Sequence, residues 1–329
     1  MSLGDSTKSY NESGVFLQAH VNQELKKLSW DVVMEHPVVV APFRKNPKVL
    51  YHQREPVREV NPERFVQALH DSQNSFELSE RSIDVVGGRM LDGERALKLC
   101  IECKKLNPKY TEWCFFDQQK SKRKLNVITK SRDNAGIVNL FHVPKTTKYG
   151  NEIFLYLHNR FGENDFVPKT FADFAIAMTN EKIHGDYYKT EKTVVDMACR
   201  QIIEGTYGLT IEVLISQILA GNSYDYGRTD IFIPIIVTNA KLKFCEFDPE
   251  KINPKTGHLT EEPKYEDIDS IIYEYNSPKT VQYPEPLFGS LKPELRKATA
   301  KWDVLIMSPH GFTEFLEGTE KLWGPVKYL

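Results

Sequence analysis

The chain has 329 residues, 40% hydrophobic and 27% charged, the proportions of a globular protein with ample material for a core. Lys plus Arg (43) nearly balances Asp plus Glu (45), a net charge of -2, which argues against a strongly basic nucleic-acid binder but leaves room for a local basic patch. No apolar run approaches the roughly 18 residues of a membrane span, so no membrane partner is expected.

Residues 1–13 are polar, carry no signal-peptide core, and read as a disordered or tag-derived N-terminus. Residues 14–28, GVFLQAHVNQELKKL, read as an amphipathic helix, with Leu17, Val21, Leu25 and Leu28 on one stripe. The stretch WDVVMEHPVVVAP is a strand in which Pro37 breaks the ladder or marks an edge. Residues 41–61 are rich in Pro and charge and read as loop. NPERFVQALHDSQ is a short helix with Pro62 in its first turn. RSIDVVGG is a strand, Asp92-Gly93 a turn, and LKLCIECKK its antiparallel partner.

From 107 to 185 the pattern is mixed. It includes the basic stretch SKRKLNVITKSRDN, a strand at NEIFLYLHNRF and a short helix at KTFADFAIAMTN. Residues 190–219 carry a strong helical signal that Gly205 and Gly208 divide into two helices. IFIPIIVTNAKLKFCEF reads as an apolar strand with a second strand or hairpin partner, and the proline- and charge-rich run after it as a solvated loop. WDVLIMSP is a strand and GFTEFLEGTEKL a helix.

There is no Gly-rich phosphate loop and no GxSxG elbow, which lowers the odds of an NTPase, a dinucleotide enzyme or an α/β-hydrolase. Five scattered cysteines, an odd count without a framework, predict a reducing, cytoplasmic compartment. Cys100 and Cys103 are spaced like half a zinc site, but positions three apart on a strand face opposite ways, and no second half is present.

The chemistry concentrates in LKLCIECKK. Alternation puts Leu97, Leu99, Ile101 and Cys103 on one face and Lys98, Cys100, Glu102 and Lys104 on the other. On the preceding strand Ile83 and Val85 face one way, Asp84 and Val86 the other. Paired as a hairpin, the two strands bring Asp84 beside Glu102 and Lys104. Two nearby carboxylates repel unless a cation lies between them, and a hard divalent ion such as Mg²⁺ suits oxygen donors. Such an ion activates water and polarises a phosphoryl oxygen, and a neighbouring lysine stabilises the developing charge. The parts fit phosphodiester hydrolysis.

Helix, strand, strand with Asp, strand with Glu-x-Lys resembles the PD-(D/E)xK nuclease superfamily. SID at 82–84 is similar to its second motif, with Ser82-Ile83 where a Pro often stands, and ECK at 102–104 to its third. Residues 14–28 match the first core helix, where many members carry an acid. With Leu25 and Ser29 as anchors, that position here is Gln18, a departure, and His20 and Glu24 are the acids' nearby alternatives. The resemblance covers residues 14–105. It implies a single α/β domain at 14–329 with a restriction-endonuclease-like mixed central sheet flanked by helices. The core would be 14–105 and about 190–240, with an insertion at about 107–185 and a C-terminal strand–helix extension at 241–329.

It further implies a Mg²⁺-dependent endonuclease, with Mn²⁺ as a substitute ion and double-stranded DNA as the partner. Asp84, Glu102 and the main-chain carbonyl of Cys103 would hold the ion. Lys104 would position or activate water, and Gln18 would orient that water or a second ion. Cleavage of two strands implies a homodimer. The rivals are a catalytically inactive nucleic-acid-binding or protein-interaction module, and a nuclease for RNA or branched DNA.

Each residue also has an ordinary reading. Asp84 and Glu102 read as an acid pair on a solvated sheet face, and Lys104 as an ion-pair partner of small worth. Lys120, Lys122, Arg123 and Lys124, preceded by Gln118 and Gln119, form either a solvated run or a phosphate-contacting patch. Arg200 and Gln201 ordinarily serve packing or capping. Tyr224, Tyr226 and Arg228 form a loop suited to base stacking, and His310 stands at a strand-to-helix turn, where a structural role is usual.

Overall fold

The computed structural model describes residues 14–40, 79–91, 95–105, 110–116, 126–131, 134–139, 168, 170–182, 188–191, 193–219, 229–261, 264–276 and 301–323. They form a mixed α/β structure whose larger sheet is flanked by helices on both faces.

The chain begins with helix α1 (Val15–Lys27) and strand β1 (Asp31–Val40). Strands β2 (Ser79–Met90) and β3 (Arg95–Lys104) follow as an antiparallel pair. Then come β4 (Glu112–Phe116), β5 (Asn126–Ser131), β6 (Asn134–Asn139), β7 (Phe171–Ala172), β8 (Phe174–Lys182) and β9 (Tyr188–Glu191). Helix α2 (Thr193–Leu219) precedes β10 (Thr229–Thr238), β11 (Lys241–Glu246), β12 (Lys264–Asp267) and β13 (Ser270–Asn276). Strand β14 (Lys301–Met307) and helix α3 (Pro309–Trp323) complete the set.

The larger sheet runs β1-β2-β3-β10-β14-β13-β7, with β5 and β6 attached through β10. Strands β3, β10 and β14 are parallel at its centre. Strand β10 is paired along its whole length with β3. Its other edge is shared, by β5 opposite Asp230–Phe232 and by β14 opposite Ile235–Val237. Pro234, which has no N–H to give, sits at the step between those two partners, where a central strand tolerates it. A second sheet, β12-β11-β4-β8-β9, packs its Trp113, Phe115, Ala175, Ala177 and Leu242 into the cluster that also holds Tyr273 and Trp302 of the larger sheet.

Alternation sorts the larger sheet into two apolar faces. Leu97, Leu99, Ile101 and Cys103 join Ile231, Ile233, Ile235 and Val237 in one cluster with Val21 and Leu25 of α1 and Phe312, Phe315 and Leu316 of α3. Cys100, Phe232, Ile236, Val304 and Ile306 face the other way, against Val195, Ala198, Cys199, Ile202 and Ile203 of α2. Each fully buried Leu or Ile contributes about 1.5–3 kcal/mol, which fixes the three helices to the sheet.

The predicted apolar stripe of α1 is the one buried: Val21 and Leu25 are sealed, with Leu17 and Leu28 packed beside them. Strand β1 lies at an end of the larger sheet and runs through Pro37, so the proline marks an edge and does not break the ladder. Three expectations are corrected. KTFADFAIAMTN is not a helix but β7 and β8, because its apolar residues on either side of Asp173 are claimed by pairing with β4, β9 and β13. Residues 193–219 are one helix, not two. Gly205 passes through it because a Cβ there would stand 2.8 Å from Ile83 Cγ1; the glycine serves close packing on β2 and does not end the helix. Strand β11 is the second strand read after β10, and it leaves for the second sheet, parallel to β4. The solvated run after it ends in β12, which pairs with β11.

The predicted helix at NPERFVQALHDSQ, the Asp92-Gly93 turn and the strand at NEIFLYLHNRF lie outside the described residues. Strands β4 and β13 have no counterpart in the sequence reading.

Among the described residues, no helix is long and apolar enough to cross a membrane. All five cysteines are free and buried. Cys100 and Cys103 sit in opposite clusters, as their spacing predicts, so they form no paired metal site.

Candidate functional site

The site lies where β2 and β3 part. Their regular pairing runs from Met90↔Ala96 to Val85↔Ile101 and goes no further. Asp84, the next residue of β2, therefore has its carboxylate available, and Oδ2 accepts the backbone N–H of Cys103 at 2.7 Å. The side-chain amide of Gln18, on α1, also hydrogen-bonds to Asp84.

Strand β1 is irregular at the same level. Its pairing with β2 skips from Met34↔Val85 to His36↔Ile83, and between them Glu35 takes a left-handed φ of 48°. For a residue with a Cβ that conformation costs of order 1–3 kcal/mol and is found where the surroundings enforce it. The alternation predicted for β2 fails here too. Ile83 packs with α2 and Val85 with α1, yet Val86 is back with α2. This local kink turns Asp84 away from simple alternation and brings it to Gln18.

On β3, Glu102 is buried although charged. Lys104 Nζ donates to Glu102 Oε1 at 2.5 Å and to Gln201 Oε1 of α2 at 2.6 Å. The ammonium is thus held from two directions, by a carboxylate two residues back and by a helix on the neighbouring layer. Glu102 and Lys104 share the sheet face that α2 covers, as alternation requires.

Electrostatically the site is tense. Burial raises the Asp84 carboxyl above its ordinary range, and the Glu35 carboxylate pushes it further. The Cys103 N–H, the Lys104 charge and the Gln18 amide act in the opposite direction without reversing the shift. The Cys103 thiol is likewise pushed up, first by burial and then by Asp84 and Glu102. A cation placed here would relieve the cost of charging Asp84.

The donor set limits which cation. Among the described residues no group of three or more His, Cys, Asp or Glu side chains gathers to hold a metal. Asp84, Glu102 and the Cys103 carbonyl supply hard oxygens only. Two carboxylates, a carbonyl and retained waters are the ligands Mg²⁺ accepts, and a poor set for Zn²⁺.

The structure therefore sets Gln18 and the Cys103 N–H against Asp84, and Glu102 and Gln201 against Lys104, whose charge acts on Asp84. Glu24 goes elsewhere, paired with Lys27 at 2.5 Å on α1 itself, and the nearest His20 approach is to Glu24 at 4.0 Å. His310 makes an exposed contact with Glu314 and is no part of the site. Gln118, Gln119, Lys120, Lys122, Arg123 and Lys124 lie outside the described residues, as do Tyr224, Tyr226 and Arg228. Glu35 was missed by sequence reasoning: it is an acid inside the apolar strand WDVVMEHPVVV, but its place opposite Asp84 is set by the register of β1 on β2, a pairing of segments distant in the chain. Gln201, set aside from sequence as a packing or capping residue, is the direct partner of Lys104. No family model, curated protein or solved structure matches this chain.

Proposed function

We propose that this protein is a metal-dependent nuclease hydrolysing DNA phosphodiester bonds, built on a restriction-endonuclease-like fold of the PD-(D/E)xK type. The observation that carries the reading is the pairing of two anchorages. Asp84 is fixed on the Cys103 N–H, and Lys104 is fixed between Glu102 and Gln201.

Asp84, Glu102 and the carbonyl of Cys103 would hold Mg²⁺, or Mn²⁺ in its place. When bound, the ion supplies Lewis-acid polarisation of the phosphoryl oxygen and an acidified water. Lys104 presents its ammonium to the attacking water and to the charge that develops on phosphorus. Gln18 holds Asp84 in position from α1. A bond forms from the water oxygen to phosphorus, and the bond from phosphorus to one sugar oxygen breaks. The basic run from Lys120 to Lys124 and the preceding Gln118 and Gln119 are proposed contacts to the DNA backbone. Double-stranded DNA is the proposed substrate, cut by a homodimer in the cytoplasm.

A second reading, a binding module without cleavage, is favoured by one feature. Gln18 stands where the superfamily usually has an acid, and the site has one charged ligand fewer for its ion.

The test is incubation of the purified chain with plasmid, single-stranded DNA, branched DNA and RNA, in Mg²⁺ or Mn²⁺, beside Glu102→Ala and Lys104→Ala. The nuclease reading expects cleavage of plasmid that is lost in both variants. Retention of DNA without cleavage by any form would establish the binding module. Neither binding nor cleavage would sink the nucleic-acid assignment.

A further inference from the structure

Helix α2 carries Met197, Arg200, Gln201 and Glu204 at i, i+3, i+4 and i+7, one face of the helix. Gln201 on this face holds Lys104. Arg200 is its immediate neighbour, and its side chain is 48% exposed. Arg200 Nε donates to Glu204 Oε1 at 2.7 Å, and the Glu204 side chain is only 10% exposed.

Helix stability alone is a poor reason for this pair. A base four residues before an acid is the less favoured order, worth a few tenths of a kcal/mol. Burying the Glu204 carboxylate is costly, and the guanidinium at its edge offsets that cost. The result is an exposed arginine whose plane is fixed from below through Nε. With Nε engaged, the guanidinium keeps its two terminal nitrogens as further donors, the fork that matches two oxygens of a phosphate. A side chain already held loses little freedom on binding. Met197, one turn before, is also exposed.

We propose that Arg200 grips a backbone phosphate of the substrate strand next to the one cleaved, with Glu204 as the residue that positions it. This rests on the nuclease reading for the identity of the substrate. The experiment measures binding, and so separates the two ideas.

A short DNA duplex is titrated with the full chain in Ca²⁺, to retain binding while suppressing turnover, at several salt concentrations. Arg200→Ala should weaken binding about tenfold and lower the slope of log affinity against log salt by about one. Arg200→Lys should keep the slope but recover only part of the affinity, because an ammonium does not fork. Glu204→Gln should keep the slope and weaken binding. Should Arg200→Ala fail to fold, Arg200→Gln removes the charge and is read the same way. Unchanged affinity and slope in the charge-removing variant overturn the proposal. Binding with these shifts but no cleavage would refute the nuclease reading and uphold Arg200 as a phosphate contact. An unaltered chain that binds no duplex would overturn both.

Discussion

Lys104 and Gln201 stand 97 residues apart in the chain and meet at 2.6 Å, Nζ to Oε1. The contact ties the end of β3 to α2. It gives the Lys104 ammonium a second anchor besides Glu102, so its direction is set by two layers of the fold.

That contact predicts a split in kinetic constants. On the proposed nuclease reading, Gln201→Ala should release Lys104 to rotate about Glu102 and lower kcat for DNA cleavage roughly tenfold, the worth of one hydrogen bond to a charged group. KM should change little, and the melting temperature should hold. Steady-state cleavage of a labelled duplex reads both constants, and an unchanged kcat would count against a positioning role.

Gln18 predicts a gain. Gln18→Glu places a third carboxylate beside Asp84, already raised by burial and by Glu35. Without metal the like charges should push Asp84 higher still and lower the melting temperature in EDTA. With metal the extra charged donor should tighten Mn²⁺ binding about tenfold, a shift of about 1.4 kcal/mol. Calorimetric titration with Mn²⁺ decides it; equal affinities would show that the amide already lies off the metal.

Gly205 tests the seat of α2. Its substitution by Ala sets a Cβ against Ile83 Cγ1 at 2.8 Å. Overpacking of this kind costs about 1–3 kcal/mol, against about 1 kcal/mol gained in helix propensity. Gly205→Ala should therefore destabilise the protein in urea unfolding. Ile83→Ala should cost less in that background than alone, a coupling a double-mutant cycle measures. Gln201 lies one turn away, so cleavage should fall along with stability.

Arg89 predicts a large loss far from the chemistry. Its side chain is 1% exposed, it pairs with Glu320 of α3, and it lies 5.7 Å from the Trp30 ring centroid. Arg89→Ala leaves Glu320 without this partner and removes the cation from Trp30. The pair is part-buried, since Glu320 is 24% exposed and can rehydrate, so the loss should fall below the about 3–5 kcal/mol of a fully buried pair, at about 1–3 kcal/mol. Urea unfolding should show a loss of that order, and a loss below about 1 kcal/mol would mean that the pair is structurally idle.

Strand β3 was legible in the sequence to a degree that β2 was not. LKLCIECK alternates without fault, and each residue lies on the face its parity requires because both faces are covered by helices. RSIDVVGG alternates on paper, but at Asp84 the chain kinks to match Glu35 on β1. Nothing local to either strand announces the other, since the residues between them leave the register open. KTFADFAIAMTN misled for a different reason. Its apolar residues are interrupted by Asp173 and set no clear period, and only its partners β4, β9 and β13 make it strand. Gly205 looked like a helix break, because a glycine's conformational freedom is a local property and the Ile83 side chain it makes room for is not.

The amphipathic stripe of α1, the two faces of β3, and Glu102 and Lys104 on one of them follow from residue order alone, since helical and strand periods are properties of a few consecutive residues. Which charges meet across elements does not. Asp84 with Gln18 and Glu35, and Lys104 with Gln201, are set by strand register and by how α1 and α2 dock. Those depend on the packing of side chains far apart in the chain.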